Sequence, residues 1–123
     1  MLYGSEVWGV YNFKGIDKLH LRFCKYILGV KKQTPNNAVL GELGRFPLSV
    51  LCRERSLKFW CKIMSKTDSP IYFMYKDLCD NVRGNCWTSR IKTITDHLGY
   101  SQLRYNFNVN KNSSMLHNMK RTL

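Results

Sequence analysis

The chain has 123 residues, the length of one ordinary domain, and its apolar fraction of 44% and aromatic fraction of 13% are typical of a globular protein. Its charge is unusual, because 20 lysine and arginine residues against eight aspartate and glutamate residues give a net charge of +12. This excess favours a polyanionic partner, nucleic acid before an anionic membrane, and argues against a cation-binding protein or an acidic activation segment.

The cysteines and the short apolar runs indicate the compartment. The five cysteines are odd in number, follow no signal peptide and include no C-x-x-C pair. Free buried thiols are therefore favoured, and a zinc site assembled from distant parts of the chain is the alternative. No apolar run approaches the ~20 residues that span a bilayer. We expect an intracellular protein of the nucleus or cytoplasm, neither secreted nor in a membrane, with no metal and no cofactor.

Hydrophobic periodicity and helix-boundary residues predict an all-α fold, an irregular bundle of about five helices. The expected helices cover about 16–31, 35–43, 48–66, 70 to just before Gly84, and 87–98. The opening segment has no recognisable helix start. We expect residues 1–100 to form a helical domain and residues 101–123 to form a polar, partly disordered tail rich in asparagine, serine and lysine.

The spacing of apolar residues predicts which helix faces are buried. The helix at 48–66 has apolar residues on two stripes, which is typical of a central helix. Trp60 and Trp87 lie on such stripes, so we expect core packing rather than base stacking. Leu21 and Leu28 flank the basic strip of the first helix, so contacts on two sides of that helix are expected. Two other helices carry one apolar face each: Ile16, Leu19, Phe23, Tyr26, Ile27 and Val30 in the first, and Ile71, Met74, Tyr75, Leu78, Cys79 and Val82 in the fourth.

No catalytic constellation is visible in the sequence. Asp77 and Asp80 are the only close pair of carboxylates, and beside Lys76 they are typical of a solvated helix face. Two-metal phosphoryl transfer needs carboxylates that converge on the ions. No phosphate-binding G-x-x-x-x-G-K-[ST] loop occurs, and no histidine stands where a serine triad would need it. We therefore predict that this chain is not an enzyme.

Basic residues recur on strips opposite the apolar faces. The first 66 positions hold twelve basic against four acidic residues. Phosphate contacts need suitably placed cations rather than a sequence motif. The alternative for each lysine is an ordinary solvated face. The predicted nucleic-acid-binding residues are Lys14, Lys18, Arg22, Lys25, Lys31, Lys32, Arg55, Lys58, Lys62 and Lys66.

Several short segments, in their order and spacing, resemble one known family. They are LYGSEVWG (2–9), LHLRFCKYILGV (19–30), TPN (34–36), GELGRFPL (41–48), FW (59–60) and a tryptophan helix ending in a glycine-aromatic step (87–100). Together they resemble the region just downstream of the reverse transcriptase domain in LINE-like non-LTR retrotransposon polyproteins. The resemblance covers about residues 1–105.

The family's activity is RNA-directed DNA synthesis coupled to an endonuclease. Its metal-binding aspartates lie upstream, in a Tyr/Phe-x-Asp-Asp motif that this chain lacks, and the Cys-Cys-His-Cys knuckle of some relatives is also missing. The resemblance therefore implies a non-catalytic fragment that begins at an internal methionine. It implies a helical, thumb-adjacent segment that helps to hold template RNA and nascent DNA, with the polymerase domain of an intact element as a further partner.

Three other hypotheses remain open at this point. The first is an inert structural remnant whose helices once packed on the missing polymerase domain. The second is an enzyme in its own right, which would require phosphodiester cleavage or synthesis by this chain alone. The third is a membrane-surface role for the basic helix at 16–31.

Overall fold

The computed structural model describes residues 3–11, 14–81 and 86–101, and every regular element within these ranges is helical. The helices are α1 (Ser5–Trp8), α2 (Lys14–Ile27), α3 (Asn36–Glu42), α4 (Leu48–Ser65), α5 (Pro70–Asp80) and α6 (Trp87–His97). The all-α prediction is confirmed, and α2 to α6 match the predicted helices to within about four residues. α1 is an addition, because the sequence showed no helix start there. Of the predicted tail at 101–123, only Ser101 lies within the described residues.

α4 is the central helix of the described structure, and α1, α2, α5 and α6 all contact it. Both of its predicted apolar stripes contribute buried side chains, so its central position is confirmed. The buried residues of α4 are Leu48, Cys52, Ser56, Leu57, Trp60, Cys61, Ile63 and Met64.

Trp60 lies at the centre of the core and is 0% exposed. Its indole N–H donates to the Tyr75 hydroxyl at 3.0 Å, which satisfies a polar group that would be costly to bury alone. Ile91 of α6 packs in the same cluster, and the Trp87 ring meets Phe59 and Tyr75 edge-on, with centroids 5.9 and 6.4 Å away. The prediction that Trp60 and Trp87 pack in the core is confirmed.

α1 approaches α4 through small residues. Ser5 is buried, and the Ser56 hydroxyl shares its proton between the carbonyl oxygens of Ser5 and Cys52, each 3.1 Å away. A Cβ atom at Gly9 would lie 2.6 Å from the Cys52 carbonyl oxygen and 2.8 Å from Ser56 Oγ. Only glycine therefore allows the two backbones to come this close.

Most of the apolar face predicted for α2 is exposed, and another side of the helix meets the core. Leu19, Phe23 and Ile27 are 53%, 56% and 54% exposed, and Tyr26 and Val30 are exposed as well. Periodicity shows that a helix has an apolar arc, but not whether a neighbouring element covers it.

The side of α2 that carries Asp17 and Cys24 faces inward, and two observations show this. Cys24 is almost fully buried, and Asp17 Oδ1 accepts a hydrogen bond from the backbone N–H of Ser49 at 3.1 Å. Ser49 lies in the first turn of α4, where backbone N–H groups have no partner within the helix. Pro47, the N-cap residue, provides no side-chain acceptor. The Asp17 carboxylate supplies one and also complements the positive end of the helix dipole.

α5 also differs from its prediction. Ile71, Met74 and Leu78 are exposed, whereas Tyr72 and Tyr75 pack against the core cluster. Of the predicted apolar face, Tyr75 therefore meets the core and three side chains do not, while Val82 lies outside the described residues. The described structure thus leaves two apolar helix faces uncovered, one on α2 and one on α5.

Replacing Gly9 with alanine is expected to destabilise the fold. The new Cβ would overlap carbonyl oxygens of both helices, and backbone atoms cannot yield as a flexible side chain does. We expect Gly9→Ala to lower the free energy of unfolding by about 2 kcal/mol or more. The measurement is urea unfolding followed by far-UV circular dichroism.

Gly41→Ala is the matched control for this experiment. Gly41 lies in α3, and a Cβ there would meet nothing within 4 Å. Alanine is the better helix former, so this variant should unfold at the same or a slightly higher urea concentration. Equal stability of the two variants would contradict the close contact between α1 and α4.

Candidate nucleic-acid interface

A groove of about 460 Å³ lies along α2 and the loop that follows it. Its lining combines four cationic side chains, one aromatic ring, one amide and two aliphatic side chains. The lining residues are Lys18, Leu21, Arg22, Lys25, Tyr26, Val30, Lys32 and Asn36. None of these described lining residues carries a carboxylate, so no ion pair between lining residues neutralises the cations.

The shape of the groove depends on how α2 ends. Gly29 has a φ of +63°, a conformation that glycine adopts without the penalty paid by other residues. Its N–H donates to the Tyr26 carbonyl, and the next N–H, of Val30, donates to the Lys25 carbonyl, both at 3.1 Å. This is the Schellman arrangement of a helix C-terminus, and it turns the chain away from the helix axis.

Lys25 holds the loop against α2. Its Nζ donates to the backbone carbonyl of Lys32 at 2.7 Å, which brings the Lys32 side chain into the lining of the groove. The sequence predicted a helix running to about residue 31, with Lys32 on the same basic strip as Lys18, Arg22 and Lys25. The helix instead ends at Ile27, and Lys32 reaches the groove from the loop.

The structure therefore brings four of the predicted residues together, namely Lys18, Arg22, Lys25 and Lys32. Lys14 and Lys31 are exposed but do not line the groove. Arginine offers a planar fork of donors for phosphate oxygens, whereas lysine acts as a compact point charge, so the groove offers both kinds of contact.

The predicted residues of α4 form a second basic surface. Arg55, Lys58 and Lys62 line a depression of about 230 Å³, together with Glu6 and Phe59. Acidic groups weaken this surface, because Glu6 lines the depression itself. Lys58 Nζ also forms an ion pair with Glu54 Oε1 at 2.8 Å. Lys66 is exposed at the C-cap of α4. The α4 surface is thus a weaker candidate for phosphate binding than the groove.

Sequence reasoning missed the four uncharged residues that line the groove, Leu21, Tyr26, Val30 and Asn36. Tyr26 was assigned to the apolar face of α2, but it is 84% exposed. Its position did contain a signal: at 100° per residue Tyr26 lies only ~40° around the helix from Arg22, next to the strip of basic residues that holds Lys18, Arg22 and Lys25. No sequence signal indicated Asn36, because the loop that brings it near α2 depends on tertiary contacts.

All five cysteines are free; Cys24, Cys52 and Cys61 are buried, whereas Cys79 and Cys86 are partly exposed. Burial raises the pKa of Cys61 to about 11 and also raises that of Cys52. The pKa of Cys86 is lowered, because the Thr88 hydroxyl, 2.9 Å from Sγ, and the Ser89 N–H stabilise its thiolate. Cys86 is therefore expected to be alkylated at lower pH than Cys52 and Cys61.

Metal-binding clusters and membrane-spanning helices are both missing from the described ranges. No group of three or more histidine, cysteine, aspartate or glutamate residues there could hold a metal ion. No helix in the same ranges has both the length and the apolar character needed to cross a membrane.

Compared with protein-family models, with curated protein sequences and with solved structures, the chain has no significant match.

The lowered pKa of Cys86 gives a prediction for its pH dependence. Thr88→Val keeps the shape of the side chain but removes the hydroxyl, so the thiolate loses a donor and its pKa should rise. The pH profile of Cys86 alkylation by iodoacetamide should then shift to higher pH, as measured by mass spectrometry of the modified peptides. Cys79, also partly exposed, is the internal control. An unshifted Cys86 profile would show that Thr88 does not stabilise the thiolate.

Proposed function

We propose that this chain is a non-catalytic helical segment of a LINE-like retrotransposon reverse transcriptase polyprotein, and that it binds RNA or DNA through the groove on α2. The short segments that resemble this family support the first part. The second part rests on one observation: four cationic side chains line a single groove whose described lining holds no carboxylate.

The chemistry of the groove suits phosphate binding better than catalysis. Lys18, Arg22 and Lys32 provide charged donors along a concave surface, and such contacts need no particular base sequence. Catalytic metal ions in phosphoryl transfer are held by converging carboxylates, and the described lining provides none. The groove therefore fits a role in positioning a nucleic-acid backbone.

The α4 surface extends this proposal as a secondary contact. Arg55, Lys62 and Lys66 are exposed. An exposed ion pair between residues four apart on a helix is worth only about 0.3–0.5 kcal/mol, so Glu54 does not prevent Lys58 from also meeting a phosphate. We expect this surface to add affinity without setting the position of the nucleic acid.

Binding is expected to weaken strongly with salt. Each phosphate contact releases condensed counterions, so four contacts predict a loss of roughly 50- to 150-fold in affinity between 50 and 200 mM salt. Fluorescence anisotropy with labelled oligonucleotides of unrelated sequence measures this dependence. The affinities should be similar for the different sequences. Affinity that does not change over this salt range would contradict phosphate binding.

Two triple charge-reversal variants, one in the groove and one outside it, locate the interface. Lys18→Glu, Arg22→Glu and Lys32→Glu together should weaken binding at least tenfold and reduce its salt dependence, because three phosphate contacts become repulsive. Lys25 is left unchanged, since its ammonium group also holds the loop.

The control combines Arg45→Glu, Lys76→Glu and Lys92→Glu, which reverse three exposed charges outside both basic surfaces. It changes the net charge equally and should retain most of the binding. Equal losses in the two triple variants would mean that binding follows net charge alone and that the groove is not the site.

One observation favours the alternative function, an inert structural remnant. The exposed apolar side chains of α2 and α5 would be covered if both helices packed on a polymerase domain. On this alternative the purified chain should retain its helical circular dichroism and bind no nucleic acid even at 50 mM salt. If binding is lost in the groove variant but retained in the control variant, the inert remnant is rejected.

A further inference from the structure

Tyr26 is an exposed aromatic side chain within a ring of cations. It is 84% exposed, and it lines the groove beside Arg22 and Lys25. Packing within the described structure does not account for a ring in this position, since so little of it is covered. A basic groove with an accessible aromatic ring is the combination that binds single-stranded nucleic acid, where phosphates meet the cations and bases stack on the ring.

We propose that the groove selects single-stranded over double-stranded nucleic acid, and that Tyr26 is the specificity-determining residue because a base stacks on its ring. This inference rests on the proposed function and deepens it. Phosphate contacts alone do not distinguish single-stranded from double-stranded nucleic acid, because both present a phosphate backbone.

The arrangement of α2 places the two kinds of contact side by side. At 100° per residue, Lys18, Arg22 and Lys25 lie within an arc of ~60°, and Tyr26 borders this arc on the side away from the buried face. Phe23, which is also exposed, lies three residues from Tyr26 and so neighbours it on the helix surface. A strand whose phosphates follow the basic arc would therefore carry its bases toward the two rings.

A duplex cannot make this contact without losing base pairs. Its bases are stacked on one another inside the two backbones, and only their edges are accessible from the grooves. Stacking on Tyr26 needs the flat face of a base, which single strands present freely. Asn36 offers both amide donors and a carbonyl acceptor at the same groove, and these can reach the edge of a base that is not paired.

The distribution of charge favours nucleic acid over an anionic lipid surface. Helices that lie in a membrane interface present an apolar face opposite a basic face. On α2 the arc of the cations is centred ~130° around the helix from that of the apolar residues, so the two arcs are not directly opposite. On its other side the helix turns toward Cys24 and the core. Four of the cations moreover line a concave groove rather than a flat surface.

The test compares a labelled poly-dT oligonucleotide with a duplex of equal length by fluorescence anisotropy at 50 mM salt. The unchanged protein should prefer the single strand. Tyr26→Ala should lower single-strand affinity about fivefold or more, as expected for the loss of one base-stacking contact, and leave duplex affinity unchanged. Tyr26→Phe keeps the ring and should retain the preference.

Tyr3→Ala is the matched control, because the Tyr3 side chain is 97% exposed and lies outside the groove lining. It should leave both affinities unchanged. Far-UV circular dichroism of each variant checks the fold, which removal of so exposed a side chain should preserve.

Two results would overturn the inference in distinguishable ways. If Tyr26→Ala leaves single-strand affinity unchanged, or lowers both affinities equally, base stacking is rejected while phosphate binding stands. If neither form of DNA binds, and a labelled RNA strand of equal length does not bind either, the proposed function fails and this inference fails with it. In that case, binding to vesicles that contain phosphatidylserine would assign the groove to an anionic lipid surface.

Discussion

The close contact between α1 and α4 is the constraint on which much of the described fold depends. Gly9 leaves no Cβ between the two backbones, and Ser56 hydrogen-bonds to a carbonyl of α1 across the gap. Fixing α1 also fixes α6, because the Trp87 indole N–H donates to the Glu6 carbonyl at 3.1 Å. Trp87 in turn meets Tyr75 of α5. The small residues between α1 and α4 thus fix the position of the Glu6 carbonyl to which the Trp87 indole donates.

The orientation of α2 connects this fold to its proposed function. Asp17 binds a backbone N–H at the start of α4, and Cys24 is buried, so one side of α2 faces inward. The remaining surface of the helix is then exposed, including its cations and its aromatic rings. Gly29 ends the helix, and Lys25 draws the loop back by its bond to Lys32. The groove follows from these contacts and not from the basic residues alone.

The elements that could be predicted from sequence are those governed by local interactions. Apolar periodicity identified α4 as central, and Ser69 with Pro70 marked the start of α5 correctly. The orientations of α2 and α5 could not be predicted, because an apolar arc does not reveal whether another element covers it. Helix periodicity groups Lys18, Arg22 and Lys25, whereas Lys32 joins them because its backbone carbonyl accepts a hydrogen bond from the Lys25 side chain seven residues away. Tyr26 was assigned to an apolar helix face, and its exposure could not be predicted, because sequence periodicity does not show which faces are covered.

The central claim is that nucleic acid binds in the groove on α2, and chemical-shift mapping tests it most directly. Backbone amide resonances of the labelled protein would be followed while a poly-dT oligonucleotide is added at low salt. The account predicts the largest shifts between Lys18 and Asn36, smaller shifts near Lys62, and almost none in α6. Shifts concentrated in α5 or α6, or no shifts at all, would contradict it.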